Sequence, residues 1–556
     1  MSKKILIIGL DGMTFNFIDP LIDKGRLPTI AQLMKEGVRS PLETIFPPIT
    51  SAAWTSFITG KNPGKHGIFE FIQRRQGQVR ETAANATQRS GKALWDLFSE
   101  EHRPAISTNF PITYPPTAIN GVMISDFMTP RGRRDITQPS SVLAELEAKF
   151  GTYKLYMTET YAKDNVDNVL KELHEEIAYK SKVNCHLMKN YDWELFVTHI
   201  WGTDRCQHEL WHIFDDTHPK HNKEEAKLYR ERIYQYWDTV DREVANMLEA
   251  AGPDTAVLIA SDHGFGPAHT YCAFNIWLMQ EGFLQLKKDA LTRLKHLIFS
   301  LGITPELAYT ILRNPLLKSL RPSRGVGTQK SKMGLINQFF LSFNDVDWSK
   351  TTAFSKGNYG QIFVNLKGRE LAGSVSPGEE YERVRNQVIE RLKQLKNPKT
   401  GGKFIGPIYK REETFSGEHL PDAPDICFLP EDMSYVSLGN LDFMSNRFMV
   451  NSFGNSGTHR LHGVFIARAK ELKSNFRLTN AHIIDAAPTV LHLAGLPVPE
   501  DMDGVVLSDI FTEEFLKNHP IRVGKAASRG DVAAAEFSEE ESDEVRARLH
   551  ELGYMG

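Results

Sequence analysis

Three apolar runs, each followed by an aspartate, constrain the fold of this 556-residue chain more than any other feature. ILIIGLDG ends its apolar run at Asp11, WELFVTHIWGTD leads to Asp204, and DTAVLIASDHG leads to Asp262. Continuous β-branched runs are typical of parallel strands whose two faces are both covered by helices. The sequence therefore predicts an α/β fold, with a doubly wound, mostly parallel sheet flanked by helices.

The three aspartates are candidates for a metal site. The carboxyl ends of parallel strands meet at one edge of the sheet, where the sites of open α/β folds form, so we expect Asp11, Asp204 and Asp262 to lie together. Any one of them could instead cap the helix that follows its strand. His208 and His263 stand close to two of them in the sequence, and a mixture of carboxylate and imidazole suits Zn²⁺ or Mn²⁺ better than Ca²⁺ or Mg²⁺.

The second run continues into HELWH, residues 208–212, which matches the H-E-x-x-H pattern of a zinc protease helix. Residues four apart share one face of a helix, so His208 can pair with either His212 or Asp204. In a protease Glu209 would be the general base. Because Asp204 stands where the strand gives way to the helix, we favour the pair Asp204 and His208, and we expect Glu209 to be a helix-surface residue.

A candidate nucleophile lies in FPPITSAAWTSFITG, residues 46–60. The two prolines prevent helix, and a helix is predicted over residues 51–59 with Thr50 at its N-cap. Threonine is a favoured cap for purely local reasons. A helix N-terminus is also an anion site, and a metal-bound threonine oxygen could attack phosphorus there. Thr50 is the candidate, and Ser51 is the alternative.

The composition excludes several classes of partner. The chain is 41% hydrophobic and 24% charged, with a net charge of −3, which gives no sign of a nucleic-acid surface or a polybasic membrane patch. The first apolar run is too short for a signal peptide, and no run of about 18 apolar residues follows. Four cysteines without paired spacing indicate reduced thiols. We expect a cytoplasmic protein; its oligomeric state is not specified by the sequence.

Several motifs occur in a specific order along the chain. L-D-G near the start is followed by F-P-P-I-T-S, T-G-K-N-P-G-K-H-G-I, D-x-x-x-H, S-D-H-G and a late G-T-H-R. In this order they resemble the alkaline phosphatase superfamily, and most closely its type I phosphodiesterase/nucleotide pyrophosphatase branch. The late segment HIIDAAPTVLHLAGLPVPEDMDG is similar to the one that closes the fold in relatives. The resemblance implies an alkaline phosphatase-like fold.

The resemblance also implies an activity and a set of ligands. It implies a metal-dependent phosphoester hydrolase, and among these a phosphodiesterase, with a threonine nucleophile and two divalent ions bridged by the phosphate of a small-molecule substrate. Zn²⁺ is expected first and Mn²⁺ second. One ion would be held by Asp11, Thr50, Asp262 and His263, and the other by Asp204, His208 and His459. His462 is the alternative to His459, and His66 matches a family position that we interpret as structural.

The same metal pair could serve a phosphomutase or phosphotransferase, in which the phosphoryl group passes to an acceptor other than water. A non-catalytic scaffold that keeps the fold and binds a partner is a further alternative. The C/S-x-P-x-R nucleophile motif of sulfatases is absent around Thr50, which counts against sulfate-ester hydrolysis.

The chain is expected to contain a discontinuous core, residues 1–265 and 425–511, an inserted cap at 266–424, and a tail at 512–556 with a short helix. The strand-like segment 423–430 should return to the core, and the basic stretch 321–332 should be an exposed loop. Substrate contacts are expected from Asn109, Lys356, Asn358 and Tyr359, although each of these could equally well shape a turn.

Overall fold

The computed structural model describes residues 3–73, 81–162, 164–307, 339–439, 443–452, 454–527 and 537–551. The strands are β1 (Ile5–Leu10), β2 (Val38–Glu43), β3 (Ile72–Gln73), β4 (Thr82–Ala83), β5 (Ala105–Thr108), β6 (Gly121–Ile124), β7 (Thr137–Gln138), β8 (Leu195–Ile200), β9 (Ala256–Ala260), β10 (Gly264–Pro267), β11 (Thr270–Ala273), β12 (Ala353–Ser355), β13 (Gln361–Val364), β14 (Ile405–Lys410), β15 (Ile426–Pro430), β16 (Tyr435–Leu438), β17 (Met449–Asn451), β18 (Gly457–Arg460), β19 (His462–Arg468), β20 (Phe476–Arg477), β21 (Ala481–His482), β22 (Val498–Pro499) and β23 (Val523–Gly524).

The helices are α1 (Phe15–Asp23), α2 (Pro28–Glu36), α3 (Thr50–Thr59), α4 (Pro63–His66), α5 (Leu94–Glu100), α6 (Ser141–Phe150), α7 (Val166–Asn190), α8 (Gly202–Phe214), α9 (Lys223–Ala251), α10 (Phe274–Gln280), α11 (Ala290–Ser300), α12 (Glu379–Gln394), α13 (Arg411–Thr414), α14 (Ala486–Leu493), α15 (Glu513–Asn518) and α16 (Glu539–Glu551). The longest are α7 and α9, which pack against each other. Among the described residues, no helix is long and apolar enough to cross a membrane.

A ten-stranded sheet forms the centre of the molecule, in the order β20-β2-β19-β9-β1-β8-β5-β6-β7, with β21 also paired to β2. Strands β7 and β19 run antiparallel to their neighbours, and the other pairings are parallel. The three apolar runs form β1, β8 and β9, which lie side by side and are buried at every residue. The prediction of a mostly parallel sheet is confirmed.

Alternate side chains of β1 pack on opposite faces of the sheet, as the two-residue period of a strand requires. Leu6 and Ile8 belong to a core cluster with residues of α1, α2, α7, α8 and α9. Ile5 and Ile7 belong to a second cluster, with residues of α3, α5 and α14. Helices therefore cover both faces, and the doubly wound architecture is confirmed.

A separate four-stranded sheet, β12-β13-β15-β14, forms the centre of the predicted cap. It shares a third core cluster with α10, α11 and α12. The expectation that segment 423–430 returns to the core was wrong, because β15 pairs with β13 and β14 and its Ile426 and Phe428 are buried in the third cluster. The division into core, cap and tail is kept as a proposal; the predicted loop at 321–332 lies outside the described residues.

The C-terminal helix α16 packs on the body of the same chain. Ser538 caps it, since Glu541 N–H donates to Ser538 Oγ at 3.2 Å and Ser538 N–H donates to Glu541 Oε2 at 2.9 Å. Val545 and Leu549 are fully buried in the cluster that contains α7 and α9. Arg548 donates to the carbonyl of Thr129 at 3.0 Å. Helix α16 of the proposed tail therefore packs against the same cluster as α7 and α9.

This packing predicts the effect of shortening a buried side chain in α16. We expect Leu549→Ala to lower the free energy of unfolding by about 2–5 kcal/mol, because it removes buried methyl groups and leaves a cavity. The matched control is Glu540→Ala on the exposed side of the helix, which should change stability by less than about 0.5 kcal/mol. Urea unfolding of both variants measures the difference, and equal stabilities would contradict the packing of the tail.

Candidate active site

Two groups of buried acids and histidines lie at the carboxyl edge of β1, β8 and β9. Asp11 directly follows β1, Asp262 follows β9, and Asp204 lies in the first turn of α8, just after β8. The structure brings together Asp11, Asp262 and His263 as one group, and Asp204, His208 and His459 as another; the ligating atoms of each group lie within 4.8 Å of one another. The parallel pairing of the strands produces this arrangement.

The first group is built around the Nε2 atom of His263. This nitrogen lies 3.2 Å from Asp262 Oδ2 and 3.4 Å from Asp11 Oδ1. The hydroxyl oxygen of Thr50 approaches it to 3.0 Å. A carboxylate pair, an imidazole and a hydroxyl therefore surround one small volume.

Two side chains that the sequence did not single out hold Asp11 in place. Trp54 Nε1 and His199 Nε2 both contact Asp11 Oδ2, at 3.1 Å and 2.7 Å. His199 lies inside the apolar strand β8, and a histidine within such a run is the only sequence signal that pointed to this role. The remaining oxygen, Asp11 Oδ1, is directed at the first group.

The second group is built around one carboxylate oxygen and two imidazoles. His208 Nε2 and His459 Nε2 lie 2.9 Å apart, and Asp204 Oδ1 lies 3.4 Å and 3.5 Å from them. The two groups are adjacent, because the rings of His263 and His459 stack with their centroids 3.5 Å apart. This proximity suits two ions that share one bridging ligand.

Backbone carbonyls fix the tautomer of all three histidines. The Nδ1 atoms of His208, His263 and His459 donate to the carbonyls of Gly457 (2.9 Å), Gly264 (3.1 Å) and Pro48 (2.8 Å). A carbonyl can only accept, so Nδ1 carries the proton and Nε2 presents its lone pair to the cluster. This outer hydrogen bond is the arrangement that orients metal-ligating histidines.

Burial and neighbouring charges shift the pKa values of several side chains in the two groups. Burial, reinforced by neighbouring Asp11, raises the pKa of Asp262 well above its usual range. Burial lowers the pKa of His263 to about 3 and also lowers that of His208. Burial opposes ionisation of Asp204 too, but the nearby histidines, His208 foremost, hold its pKa below the usual range.

Two buried carboxylate oxygens in the first group, Asp11 Oδ1 and Asp262 Oδ2, have no hydrogen-bond partner among the described residues. Unpaired buried acceptors are costly, because they lose water without gaining a donor. Next to neutral imidazoles that present lone pairs, they fit a divalent cation. The mixture of nitrogen and oxygen donors fits Zn²⁺ or Mn²⁺.

The H-E-x-x-H pattern has a structural role at its second and fifth positions. Glu209 Oε1 accepts from Arg205 Nε at 3.0 Å, and Oε2 accepts from the backbone N–H of Tyr161 at 3.0 Å. His212 contacts the hydroxyls of Ser456 and Tyr161, each at 3.0 Å. The expectation that Glu209 is a helix-surface residue was wrong, because the segment carrying Tyr161 covers it. Neither residue belongs to a metal group, which rules against a protease site.

The structure also shows where the alternative residues lie. Thr50 was predicted to be the N-cap of its helix; it is instead the first residue of α3, and the N-cap is Ile49. Ser51 Oγ is buried without a hydrogen-bond partner among the described residues. His462 is exposed at the start of β19, whereas His459 is the one that lies in a candidate metal group. His66 contacts Ser56 Oγ at 2.9 Å and has a structural position.

A small cleft opens onto the second group. It includes two of the expected substrate contacts, Asn358 and Tyr359, and its walls are formed by Ile49, Thr50, Glu70, Phe71, His208, Asn358, Tyr359 and His459. Tyr359 stacks on His459 with ring centroids 5.1 Å apart, and its hydroxyl lies 3.2 Å from Thr458 Oγ1. Tyr359 therefore lies directly against the second group.

The other two expected contacts are engaged away from the cleft. Lys356 forms an ion pair with Glu81. The amide of Asn109 donates to the carbonyl of Ser125 at 3.0 Å and accepts from the hydroxyl of Tyr153 at 3.0 Å. Both groups of the Asn109 amide are used within the protein, so we do not propose a substrate contact for it.

Comparison with known proteins identifies the family. Residues 5–463 match the family model described as type I phosphodiesterase / nucleotide pyrophosphatase. The chain belongs to this family. The match covers most of the sequence and confirms the resemblance that the ordered motifs indicated. Comparison with the curated proteins gives no significant match.

Solved structures show the same fold. Phosphonoacetate hydrolase from Sinorhizobium meliloti 1021, in complex with phosphonoformate, superposes with a TM-score of 0.51 at 12% identity, over 87% of this chain and 94% of that chain. Human ectonucleotide pyrophosphatase / phosphodiesterase 5 gives a TM-score of 0.46 at 11% identity, over 93% and 99%. This phosphodiesterase-family member is therefore a hydrolase of the phosphodiester or pyrophosphate type, with two candidate sites for divalent metals.

Two substitutions in helix α8 distinguish the phosphodiesterase interpretation from the protease interpretation. In this phosphodiesterase-family member we expect Asp204→Ala to lose bound metal and to reduce phosphoester turnover at least about 100-fold, because Asp204 lies between both histidines of the second group. Glu209→Gln should keep its metal and most of its activity, and should lose about 1–3 kcal/mol of unfolding free energy by weakening the contact with Arg205. Metal analysis, kinetics and urea unfolding measure these effects.

The opposite pattern would require the protease interpretation. A Glu209→Gln protein that is inactive, beside an active Asp204→Ala protein, would mean that Glu209 activates water in its own metal site.

Proposed function

We propose that this protein is a metal-dependent phosphodiesterase in which Thr50 is the nucleophile. The observation that supports this role is the position of the Thr50 hydroxyl. It lies 3.0 Å from His263 of the first group, and it lines the same cleft as His208 and His459 of the second group. A phosphate in this cleft would contact both groups and the hydroxyl together.

The proposed reaction has two steps. The Thr50 hydroxyl gives up its proton to solvent and its oxygen forms a bond to phosphorus, while the bond from phosphorus to one ester oxygen breaks and that group leaves as an alcohol after taking up a proton. The phosphoryl group, with its second ester group, is then attached to Thr50. Water adds to phosphorus and the bond to the Thr50 oxygen breaks, which releases a phosphate monoester and restores the hydroxyl. Because family members are hydrolases, water is the acceptor that we propose, ahead of the second alcohol that a phosphotransferase would use.

The backbone at Thr50 supports phosphate binding. Thr50 begins the ten-residue helix α3, and the N–H groups in the first turn of a helix have no partners within that helix. Such groups, together with the positive end of the helix, bind phosphate oxygens. The two prolines before Ile49 keep the preceding chain out of the helix, so that these donors stay at its start.

The metal ligands are also part of the proposal. Asp11, Thr50, Asp262 and His263 would hold one ion, and Asp204, His208 and His459 the other. When bound, the two ions supply positive charge that favours an ionised threonine oxygen and stabilises the charge of the phosphoryl group. Three imidazole nitrogens among the ligands favour Zn²⁺ over Mn²⁺.

The substrate that we propose is a small phosphoester, because Thr50, His208 and His459 line one cleft. The location that we propose rests on the cysteines. The four cysteines, Cys185, Cys206, Cys272 and Cys427, are free thiols, which is the usual state in a reducing compartment such as the cytoplasm.

The activity can be tested with bis(p-nitrophenyl) phosphate. We expect release of p-nitrophenolate after loading with Zn²⁺ or Mn²⁺, a loss of at least about 100-fold on chelation, and recovery when metal is added back, because the charge supplied by the ions is required. A metal-loaded preparation that hydrolyses neither phosphate diesters nor monoesters would contradict the proposal.

The nucleophile can be assigned by two neighbouring substitutions. Thr50→Ala should reduce turnover at least about 1000-fold, because it removes the attacking oxygen, whereas Thr50→Ser should retain part of it. Ser51→Ala is the matched control one residue further along α3, and should remain active. Rapid acid quenching followed by peptide mass spectrometry should find the phosphoryl group on Thr50. Phosphorylation of Ser51 instead, with an inactive Ser51→Ala, would transfer the role to that residue.

A further inference from the structure

One acidic side chain in the cleft has no part in the metal groups. Glu70 follows the K-H-G-I motif and lies on the wall of the cleft that also contains Thr50, Phe71 and Tyr359. It is half-buried, and burial raises its pKa to about 7. A carboxylate in such a position is costly to keep unless it is paired.

Neutral donors hold the Glu70 carboxylate. From the cap, Gln361 Nε2 donates to Glu70 Oε1 at 3.1 Å, and the backbone N–H of Asn358 donates to the same oxygen at 3.5 Å. The backbone N–H of Phe71 also donates to the carboxylate. In the part of the chain that the structure describes, no lysine, arginine or histidine forms an ion pair with Glu70, so there the charge is met by neutral dipoles.

The backbone at Gly357 allows the cap to pack closely against the Glu70 carboxylate. Gly357 has a φ of +70°, and a Cβ added there would lie 2.8 Å from Glu70 Oε1 and 2.6 Å from Gln361 Nε2. A glycine is therefore required for the close approach, both by its backbone conformation and by the lack of space. This packing fixes Oε1, while the two oxygens of a carboxylate together can accept more than the three hydrogen bonds named here.

We infer that Glu70 binds the organic part of the substrate, by accepting a hydrogen bond from a hydroxyl or ammonium group carried on an ester group of the phosphate. This inference rests on the proposed phosphoester hydrolysis and specifies its substrate class. An ester group that carries a further phosphate would bring negative charge toward the Glu70 carboxylate and would be disfavoured. An uncharged hydroxyl or a cationic ammonium group is complementary to it, and the aromatic rings of Phe71 and Tyr359 provide an apolar wall for the adjoining carbon atoms.

The inference can be tested with three p-nitrophenyl phosphodiesters whose second ester group is propyl, hydroxypropyl or aminopropyl. Each releases p-nitrophenolate, so a single assay compares them. We expect the metal-loaded wild-type enzyme to prefer the aminopropyl ester over the propyl ester by about ten- to a hundredfold in kcat/KM, as a charge-assisted hydrogen bond provides. The hydroxypropyl ester should lie between them.

The variant Glu70→Gln should bring the ratio of aminopropyl to propyl kcat/KM close to one, because the amide keeps an acceptor but loses the charge. Glu100→Gln, at an exposed carboxylate on α5, is the matched control and should keep the wild-type ratio. Metal content and the thermal midpoint of each variant show whether it is folded. If Glu70→Gln does not fold, the wild-type preference among the three esters remains a test that needs no variant.

Two results would overturn the inference, and they are distinguishable. Equal turnover of all three esters by the wild-type enzyme, or an unchanged ratio in folded Glu70→Gln, would show that Glu70 does not recognise the ester group, while the proposed hydrolysis would stand. No release of p-nitrophenolate from any ester by the metal-loaded wild-type enzyme would remove the proposed hydrolysis and this inference together.

Discussion

The parallel pairing of β1 between β8 and β9 is the constraint on which the rest of the molecule depends. Gly9 lies opposite His199 on one side and Ala260 on the other, so the acidic residues that follow each strand emerge at one edge. A Cβ at Gly9 would lie 2.8 Å from the ring of Trp54, and the indole of Trp54 in turn holds Asp11. The packing of the strand and the orientation of the Asp11 carboxylate in the first candidate group are therefore set by the same side chain, Trp54.

Burial of the polar side chains of the candidate site destabilises the folded state, and other interactions in the fold must offset this effect. Buried carboxylates stand beside imidazoles that burial keeps neutral, and two carboxylate oxygens lack hydrogen-bond donors among the residues that the structure describes. Sites that violate the usual rules of polar satisfaction are commonly functional, because the missing interaction belongs to a ligand. Two extensive apolar clusters on the faces of the sheet provide the compensating stability.

The sequence predicted what local pattern determines and failed where distant contacts decide. Apolar runs followed by acids predicted β1, β8 and β9, because burial on both faces leaves a local signature. The apolar run of β15 would look the same in the central sheet and in the four-stranded sheet of the cap. The sequence therefore did not reveal that β15 pairs with β13 and β14. The prediction that Glu209 is exposed failed, because the backbone that covers it belongs to Tyr161, which is remote in sequence. No local pattern reveals such a contact. His459 depended on family resemblance, since only the pairing of β18 with β10 brings it to the site.

The interior position of β19 has a consequence for synthesis on the ribosome. This strand, His462–Arg468, lies between β2 and β9, yet it is made long after both of them. Until it leaves the exit tunnel, β2 and β9 each present an unpaired edge, which is the usual template for association between chains. His459 lies just before this strand, so the nascent chain already contains Asp11, Asp262 and His263 of the first candidate group, while the second group still lacks one imidazole. The insertion of β19 between β2 and β9 and the completion of the second group therefore both depend on the same late segment of the chain.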